Sequence, residues 1–261
     1  MARFCPLFSG SSGNCLYVGN ADSGILIDAG VSARRIETAL AQRDIPLSAI
    51  RAILVTHEHN DHTAGVRVLQ KRHHIPVYAS RGTLEGMFKY DAVDDAENCH
   101  MVDTLRLDDF DVTAFATLHD CRESNGFRIT LRDGRTVGIA TDLGYVTDAV
   151  REGLRGCDLV HIESNHDVRM LENGPYPYVL KRRILSERGH LSNEACAAEL
   201  PTLLENGTTR LVLGHLSREN NLPALAHATA FSALQERGAV ENRDFTLQVA
   251  PPENAAAPLI F

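Results

Sequence analysis

The run THEHNDH at residues 56–62 constrains this chain more than any other feature of its sequence. It directly follows a short apolar run that predicts a buried strand. Because His57 and His59 are two positions apart, an extended backbone places their imidazoles on the same side. Asp61 and His62 follow in the turn, where they could face a second ion. Imidazole and carboxylate ligands together suit Zn, Mn or Fe, so the run predicts a metal site.

Three further candidate ligands each end an apolar run later in the chain. They are His119 after Ala114–Leu118, Asp142 after Val137–Thr141, and His215 after Leu211–Gly214. Each alone is more typical of a structural polar residue, but beside the first motif the three could complete two sites. A dinuclear site needs a carboxylate that can bridge, and Asp142 is the best candidate for it.

Strand-rich stretches followed by helical patterns occur twice along the chain. Asp133-Gly134 between two apolar runs is the strongest hairpin signal, and Ser192 is a candidate N-cap for a helix that follows it. The tail Ala255–Phe261 is interpreted as a loose segment. The repeated pattern predicts two packed sheets with helices outside, in a single domain spanning residues 1–261.

The charge balance excludes one broad class of function. With 26 basic against 34 acidic residues, the net charge is −8, which argues against a protein that coats nucleic acid with a basic surface. An enzyme that holds a few phosphates locally remains compatible. No apolar run reaches the ~18 residues of a membrane span, and no secretory signal is recognisable, so we expect a cytoplasmic protein without membrane association.

The ligand motifs resemble, in order, those of the metallo-β-lactamase superfamily. That resemblance implies an α+β fold, a four-layer αβ/βα sandwich of two mixed sheets with outer helices and metals at one sheet edge. It also implies a ligand assignment. His57, His59 and His119 would hold one metal, Asp61, His62 and His215 the other, and Asp142 would bridge them.

Further motifs resemble the bacterial YycJ/WalJ-type subgroup over nearly the whole chain. They are Ser9-Gly-Ser-Ser-Gly-Asn14, Ile27-Asp-Ala-Gly30, Thr141-Asp-Leu-Gly-Tyr145, Glu163-Ser-Asn-His-Asp167, Leu180-Lys-Arg-Arg-Ile-Leu185, Gly189-His-Leu-Ser-Asn193 and His215-Leu-Ser-x-Glu-Asn-Asn221. This resemblance implies a 5′-to-3′ DNA exonuclease that uses a metal-activated hydroxide on DNA or another nucleic-acid phosphodiester. Its cofactors would be two divalent ions, Zn or Mn, with Fe also compatible. The superfamily makes a homo-oligomer a further expectation.

Two residues are candidates for a catalytic role besides ligation. Asp61 could orient the attacking water as well as bind metal. His190 could protonate the leaving oxygen, because Gly189–Ser192 resembles the segment of tRNase Z enzymes that supplies a histidine acid. The alternative for His190 is a surface residue just before an N-cap.

Eight residues are candidates for substrate contact or for support of a ligand. They are Ser12 and Asn14 in a Gly-rich loop, Asn165 and His166 after a strand, the basic cluster Lys181, Arg182 and Arg183, and Asp28 as the orienting partner of a ligand histidine. A Gly-rich loop can present N–H groups to a phosphate, and basic side chains bind a phosphate backbone. A plain β-turn and a solvated helix face are the competing interpretations of the loop and of the basic cluster.

Two other functions are compatible with the same residues. One is a hydrolase of small substrates such as thioesters, lactones or cyclic phosphodiesters, because ligands alone do not select a substrate. The other is a catalytically silent, metal-stabilised protein that binds a partner. Comparing a DNA duplex with a small diester as substrates would separate the enzymes, and loss of stability without loss of turnover in Asp142→Ala would favour the silent protein.

Overall fold

The computed structural model describes residues 1–261, and its strands form two seven-stranded sheets. In spatial order the first sheet contains β14 (Leu259–Ile260), β1 (Arg3–Phe8), β2 (Cys15–Gly19), β3 (Gly24–Ile27), β4 (Ile50–Leu54), β5 (Val77–Ala79) and β6 (Cys99–Met101). The second contains β13 (Thr246–Val249), β12 (Arg210–Gly214), β11 (Leu159–Glu163), β10 (Thr136–Ala140), β9 (Asn125–Leu131), β8 (Phe110–Ala116) and β7 (Thr104–Leu107). Each sheet combines parallel and antiparallel pairs, so both are mixed.

The α-helices connect the strands and cover the outer faces of the sheets. They are α1 (Ala33–Ala41), α2 (Asn60–Thr63), α3 (Val66–His73), α4 (Arg81–Lys89), α5 (Asp148–Leu154), α6 (Val168–Asn173), α7 (Tyr178–Ile184), α8 (Asn193–Glu205) and α9 (Pro223–Gln235). As predicted, Ser192 caps α8, and its Oγ accepts a hydrogen bond from the Ala195 N–H at 3.1 Å. No helix combines the length and the hydrophobicity that crossing a membrane requires.

Both faces of each sheet are buried, which produces four layers. Along β2, Leu16 and Val18 belong to the core between the sheets, whereas Cys15 and Tyr17 pack in the core under the first set of helices. This alternation follows from the two-residue period of a strand. A third core lies between the second sheet and α5, α8 and α9. The predicted four-layer sandwich of two mixed sheets with outer helices is therefore confirmed.

The predicted hairpin at Asp133-Gly134 joins β9 to β10. The two strands pair antiparallel, with Thr136 opposite Thr130. Gly134 has φ +83°, a left-handed conformation that costs glycine little because it lacks a Cβ. The local turn chemistry thus accounts for the position of this connection.

The expectation of a loose tail is wrong for the last residues. Leu259 pairs antiparallel with Phe4 of β1, and Phe261 is buried in the core between the sheets. A two-residue strand carries no detectable period in a sequence. Its partner β1 lies at the other end of the chain, so local pattern could not reveal the pairing.

The polar residues singled out in the sequence follow strands of both sheets. The run 56–62 follows β4 of the first sheet, and the later candidates follow β8, β10 and β12 of the second. The two sheets face each other, so these loops meet at one edge of the sandwich. The fold therefore brings ligands from distant parts of the sequence to one place.

Candidate metal centre

Three histidines form the first cluster at this edge. The donor atoms of His57, His59 and His119 all lie within 4.8 Å of one another, and His57 Nε2 is 3.0 Å from His59 Nδ1. His119 Nδ1 donates to the Gly189 carbonyl oxygen at 3.1 Å. A proton fixed on Nδ1 leaves Nε2 of His119 as a free ligand atom, the arrangement usual for metal-binding histidines.

A second cluster, of Asp61, His62 and His215, lies beside the first. Its donor atoms also lie within 4.8 Å of one another. His62 Nδ1 contacts Asp28 Oδ2 at 2.8 Å, and His215 Nδ1 contacts Glu163 Oε1 at 2.8 Å. His215 Nε2 is buried and has no hydrogen-bond partner. Both imidazoles therefore direct Nε2 toward the centre with Nδ1 held by a carboxylate.

Asp142 lies between the two clusters and is 2% exposed. Its Oδ2 is 3.2 Å from His62 Nε2, and its Oδ1 is 3.8 Å from His119 Nε2. One carboxylate thus reaches a histidine of each cluster, the position that the sequence predicts for a bridge. The residue has φ +56°, so the left-handed backbone after β10 turns this side chain inward.

The charges at the centre shift the pKa values of its carboxylate and imidazole in opposite directions. Burial raises the pKa of Asp142, but the neighbouring His215 and His62 outweigh burial and hold it well below its usual range. Burial lowers the pKa of His62, but Asp28 and Asp142 outweigh it and hold this pKa well above its usual range. The same negative potential that favours a proton on His62 would favour a divalent cation.

The donor set fits a pair of divalent metal ions. Imidazole nitrogens and carboxylate oxygens are ligands that Zn, Mn and Fe accept. The buried, unpartnered Nε2 of His215 is costly unless a ligand or ion satisfies it. The two clusters with Asp142 between them give each ion three or more donors.

The loop after β3 contacts the second cluster through Asp28, the residue proposed from the sequence to orient a ligand histidine. Asp28 Oδ1 accepts hydrogen bonds from the Thr56 N–H at 2.8 Å and from the Thr56 hydroxyl at 3.1 Å, while Oδ2 faces His62. At Gly30 a Cβ would lie 1.6 Å from the Asp61 carbonyl oxygen. Only glycine permits this approach of the two loops.

Glu163 belongs to the centre, although the motif 163–167 that it begins predicts no role for it. It ends β11, is fully buried, and its Oε1 contacts both His215 Nδ1 and His190 Nδ1 at 2.8 Å. Oε2 accepts from the N–H groups of Leu143 at 3.0 Å and Leu191 at 3.1 Å. Burial raises the pKa of Glu163, but His190 and His215 outweigh burial and lower it to about 2. The available signal was an acidic residue directly after the apolar run 159–162.

His190 lies over the centre with its side chain 19% exposed. Its ring centroid is 5.1 Å from that of His119 and 5.3 Å from that of His215. Burial lowers the pKa of His190, but Glu163 outweighs burial and raises it to about 9. The carboxylate therefore favours the protonated imidazole, with Nδ1 engaged by Glu163 and Nε2 on the opposite side of the ring.

The Gly-rich loop places Asn14 against the centre and Ser12 at its rim. Asn14 Nδ2 is 3.1 Å from His62 Nε2, and its Oδ1 accepts the Gly10 N–H at 2.9 Å. Ser12 is exposed, and its Oγ accepts a hydrogen bond from Arg218 Nη2 at 2.8 Å. Arg218 occupies the variable position of the motif that begins at His215, so the motif predicts no role for it.

The contacts of Asn165 and His166 lie within the protein. Asn165 is buried and donates from Nδ2 to the His215 carbonyl oxygen at 2.8 Å. His166 is 1% exposed, and neither ring nitrogen has a hydrogen-bond partner. Burial lowers the pKa of His166 to about 4. Asn165 therefore ties the segment after β11 to the His215 loop, and a direct substrate contact stays a prediction for both residues.

The basic cluster lies on α7, and one of its members reaches the centre. Arg183 Nε donates to Asp120 Oδ2, and Asp120 is adjacent to the ligand candidate His119. Lys181 Nζ donates to the Glu172 carbonyl oxygen at 2.8 Å. The Arg182 guanidinium lies 6.0 Å from the centroid of the Tyr178 ring. Arg183 is thus at the rim of the centre, and the other two extend away from it along the helix.

The two-sheet sandwich and the paired ligand clusters together define a metallo-β-lactamase-type protein. The β-lactamase superfamily domain matches residues 24–216 of the chain. The exodeoxyribonuclease YycJ of Bacillus anthracis is 35% identical over 254 residues, which cover 96% of each chain. The exodeoxyribonuclease WalJ of Streptococcus pneumoniae is 36% identical over 258 residues, covering 97% of this chain and 96% of WalJ. The chain therefore belongs to the β-lactamase superfamily, in the family that includes YycJ and WalJ.

A solved structure of the same fold covers the chain end to end. The metallo-β-lactamase fold protein YhfI from Bacillus subtilis superimposes with a TM-score of 0.71, covering 97% of this chain and 98% of YhfI. The two sequences are only 17% identical. This likeness establishes the fold.

Proposed function

We propose that this protein is a metal-dependent exodeoxyribonuclease. The observation that carries the proposal is Asp142, a single buried carboxylate shared by two ligand clusters. Paired metal sites are common in enzymes that cleave phosphodiesters. Similarity over nearly the whole chain to two proteins named exodeoxyribonucleases supports DNA as the substrate.

The ligand sets follow the two clusters. His57, His59 and His119 would hold one ion, and Asp61, His62 and His215 the other, with Asp142 in contact with both. We propose Zn or Mn as the ions, with Fe as a third compatible metal. When bound, such ions supply Lewis acidity toward a phosphoryl oxygen and toward water.

Asp61 would orient the attacking water. Its side chain is 28% exposed, more than any other carboxylate of the two ligand sets. Burial raises the pKa of Asp61, but His62 outweighs burial and lowers it. A carboxylate that stays ionised can accept a hydrogen bond from a water molecule and align it for in-line attack on phosphorus.

His190 would protonate the leaving oxygen. The centroid of its ring lies within 5.3 Å of the ring centroids of two candidate ligand histidines. Its Nδ1 lies 2.8 Å from Glu163 Oε1. The Nε2–H is then the proton available to the leaving group. In a 5′-to-3′ exonuclease that releases mononucleotides, the leaving group is the 3′ oxygen of the departing nucleotide. General acids of this type contribute about 10²–10⁴-fold to rate.

Phosphate contacts would be few and close to the centre. Arg183 on α7 and Arg218 in the segment after β12 are each held by a neighbouring side chain near the centre. Ser12 and Asn14 line the Gly-rich loop next to Arg218. An arginine guanidinium can donate two parallel hydrogen bonds to two oxygens of one phosphate. Such local contacts are consistent with a net charge of −8.

Digestion of a 5′-phosphorylated, end-labelled duplex tests this function. Metal-stripped protein would be supplied with Mn²⁺ or Zn²⁺ and compared with Asp142→Asn, and with Asp108→Asn as a matched change at an exposed position. We expect metal-dependent release of 5′ mononucleotides by the wild type and Asp108→Asn, and none by Asp142→Asn. Cleavage of a small diester or thioester without cleavage of DNA would contradict the nuclease and favour a small-molecule hydrolase.

Two other expectations from the sequence stay predictions. A homo-oligomer would give a multiple of the 28.6 kDa chain mass in light scattering of the purified protein. A cytoplasmic location would place the tagged protein in the cytoplasmic fraction of its host.

A further inference from the structure

A cavity of about 510 Å³ opens beside the first histidine cluster. His59 forms part of its wall, so the cavity adjoins the proposed metal centre. The rest of the lining comes from α2 and the turn after it, from α3 and from the segment after α4, and its apolar members are Ala64, Val68, Tyr90 and Ala92. The volume is in the range of small-molecule and nucleotide sites.

Tyr90 presents an exposed aromatic ring at this cavity. The side chain is 63% exposed, although its backbone is fixed. The Tyr90 N–H donates to the Gly86 carbonyl oxygen at 3.0 Å, and the next residue, Asp91, turns the chain with φ +57°. Arg67 Nη1 donates to the Asp91 carbonyl oxygen at 3.2 Å. The backbone that carries the ring is thus fixed at the C-terminal end of α4, and the ring is exposed at the cavity.

The cavity lining carries two carboxylates, of Glu58 and Asp91, and one guanidinium, of Arg67, so the cavity itself suits an uncharged ligand group rather than a phosphate. Glu58 is buried and accepts the Arg122 N–H at 3.0 Å, and Arg67 pairs with the Asp91 carboxylate. Lys89 is outside the cavity lining, and its Nζ lies 5.4 Å from the centroid of the Tyr90 ring. An aromatic surface with a neighbouring cation is the combination that binds single-stranded nucleic acid.

We propose that this cavity binds an unpaired nucleobase of the DNA substrate, stacked on Tyr90, with the adjoining phosphate near Lys89. The inference rests on the proposed nuclease function and makes it more specific. A phosphodiester at the metal centre would have its neighbouring nucleotide next to His59, at the mouth of the cavity. The enzyme would then act on strands whose terminal bases are unpaired or have frayed from a duplex.

A fluorescence titration tests the stacking directly. The chain contains no tryptophan, so Tyr90→Trp introduces a single reporter at the proposed contact. Metal-loaded protein would be titrated with an oligothymidylate that carries cleavage-resistant phosphorothioate linkages, and with an abasic strand of the same length and charge. We expect saturable quenching by the base-bearing strand and little by the abasic strand. Phe88→Trp, two residues away but outside the cavity lining, should respond equally to both strands. Equal responses of Tyr90→Trp to the two strands would overturn the proposal.

Kinetics provide the second arm. On single-stranded DNA, Tyr90→Ala should raise KM by at least about fivefold with little change in kcat, because base–aromatic stacking contributes to binding. Tyr90→Phe should behave like the wild type, because it retains the ring. If the wild type degrades DNA and Tyr90→Ala has an unchanged KM, the proposed base site is refuted while the proposed nuclease function stands. A wild type that degrades no DNA would instead refute the proposed function.

Discussion

At the scale of single residues, Glu163 holds two histidines of the centre, a role that the motif beginning at this residue did not reveal. Its two oxygens accept four hydrogen bonds, two from imidazoles and two from backbone N–H groups. It thereby fixes which nitrogen of His190 and of His215 carries the proton. Outer partners of this kind orient ligands and tune their basicity.

The variant Glu163→Gln should impair the enzyme without unfolding it. The amide retains the size of the side chain but loses the charge that holds both imidazoles. We expect DNA hydrolysis or metal affinity to fall by about 10–100-fold, measured by steady-state kinetics and by metal titration. Glu219→Gln is the matched control, because Glu219 is exposed and lies four residues after His215. Activity and metal affinity equal to the wild type would show that Glu163 does not position the two histidines.

The variant His190→Ala separates a general acid from a binding residue. If His190 protonates the leaving oxygen, turnover should fall by ~10²–10⁴-fold with KM nearly unchanged. Single-turnover cleavage of a labelled strand measures this step, with the exposed His100→Ala as a control. A substrate with a better leaving group should recover much of the loss in His190→Ala. A rise in KM with unchanged turnover would show that His190 binds the substrate and does not act as the general acid.

Spacing alone revealed the residues whose partners are local, whereas His119, Asp142 and His215 were found from their positions after strands and from the family resemblance. His57, His59 and His62 stand within six positions, so their clustering is visible in the chain itself. Glu163 and Arg218 gain meaning only through contacts with His190 and Ser12, which lie 27 and 206 positions away. No period or spacing encodes such contacts.

At the scale of elements, a buried amide cluster joins three connections of the second sheet. Asn221 Nδ2 contacts the Ser164 and Asn165 carbonyl oxygens at 2.9 and 3.0 Å, and Asn193 Oδ1 at 2.9 Å. The loop after β11, the first turn of α8 and the segment before α9 are thereby held together. The loops that carry Glu163 and His215 depend on this arrangement.

The variant Asn221→Ala should be destabilised because it leaves buried acceptors unpaired. We expect the free energy of unfolding to fall by about 2 kcal/mol, since each buried group left unsatisfied costs about 1–3 kcal/mol. Urea unfolding followed by circular dichroism measures the change. Asn173→Ala, whose amide makes one exposed contact, should change it by less than about 0.5 kcal/mol. Equal stabilities of the two variants would contradict this role.

Among the elements, those with a local signal were predictable. The hairpin between β9 and β10 and the start of α8 each have a turn or capping residue that acts within four positions. The strand Leu259–Ile260 was missed because its stability comes from pairing with β1. The two-sheet arrangement could be inferred from the repeated strand–helix pattern, whereas the order of the strands in each sheet could not.

At the scale of the whole molecule, the centre lies where the two halves of the fold meet. His57, His59 and His62 come from the first half, and His119, Asp142 and His215 from the second. Ions bound there would connect loops of both sheets. Metal binding should therefore contribute to the stability of the entire chain as well as to activity.

Removal of metal should lower the melting temperature. A ligand present at 100 times its Kd stabilises the folded state by about 2.7 kcal/mol, and each of two such sites would add a similar amount. Calorimetry of chelator-treated and metal-restored protein measures the difference. Asp142→Asn should show a smaller difference because the shared ligand is weakened. Identical melting temperatures with and without metal would contradict two bound ions.

The left-handed backbone at three positions of the centre limits what evolution or an engineer can place there. Asp28, Asp142 and His215 have φ between +56° and +61°, a region in which Asn, Asp and His are several-fold enriched and branched side chains are strained. Chemistry and conformation therefore select the same few residue types. Asparagine at position 142 can adopt the left-handed backbone conformation, but its amide lacks the negative charge of the carboxylate that binds metal. We therefore expect Asp142→Asn to be folded but inactive. This variant could be used to isolate the complex with uncut DNA and to determine the structure of the bound strand.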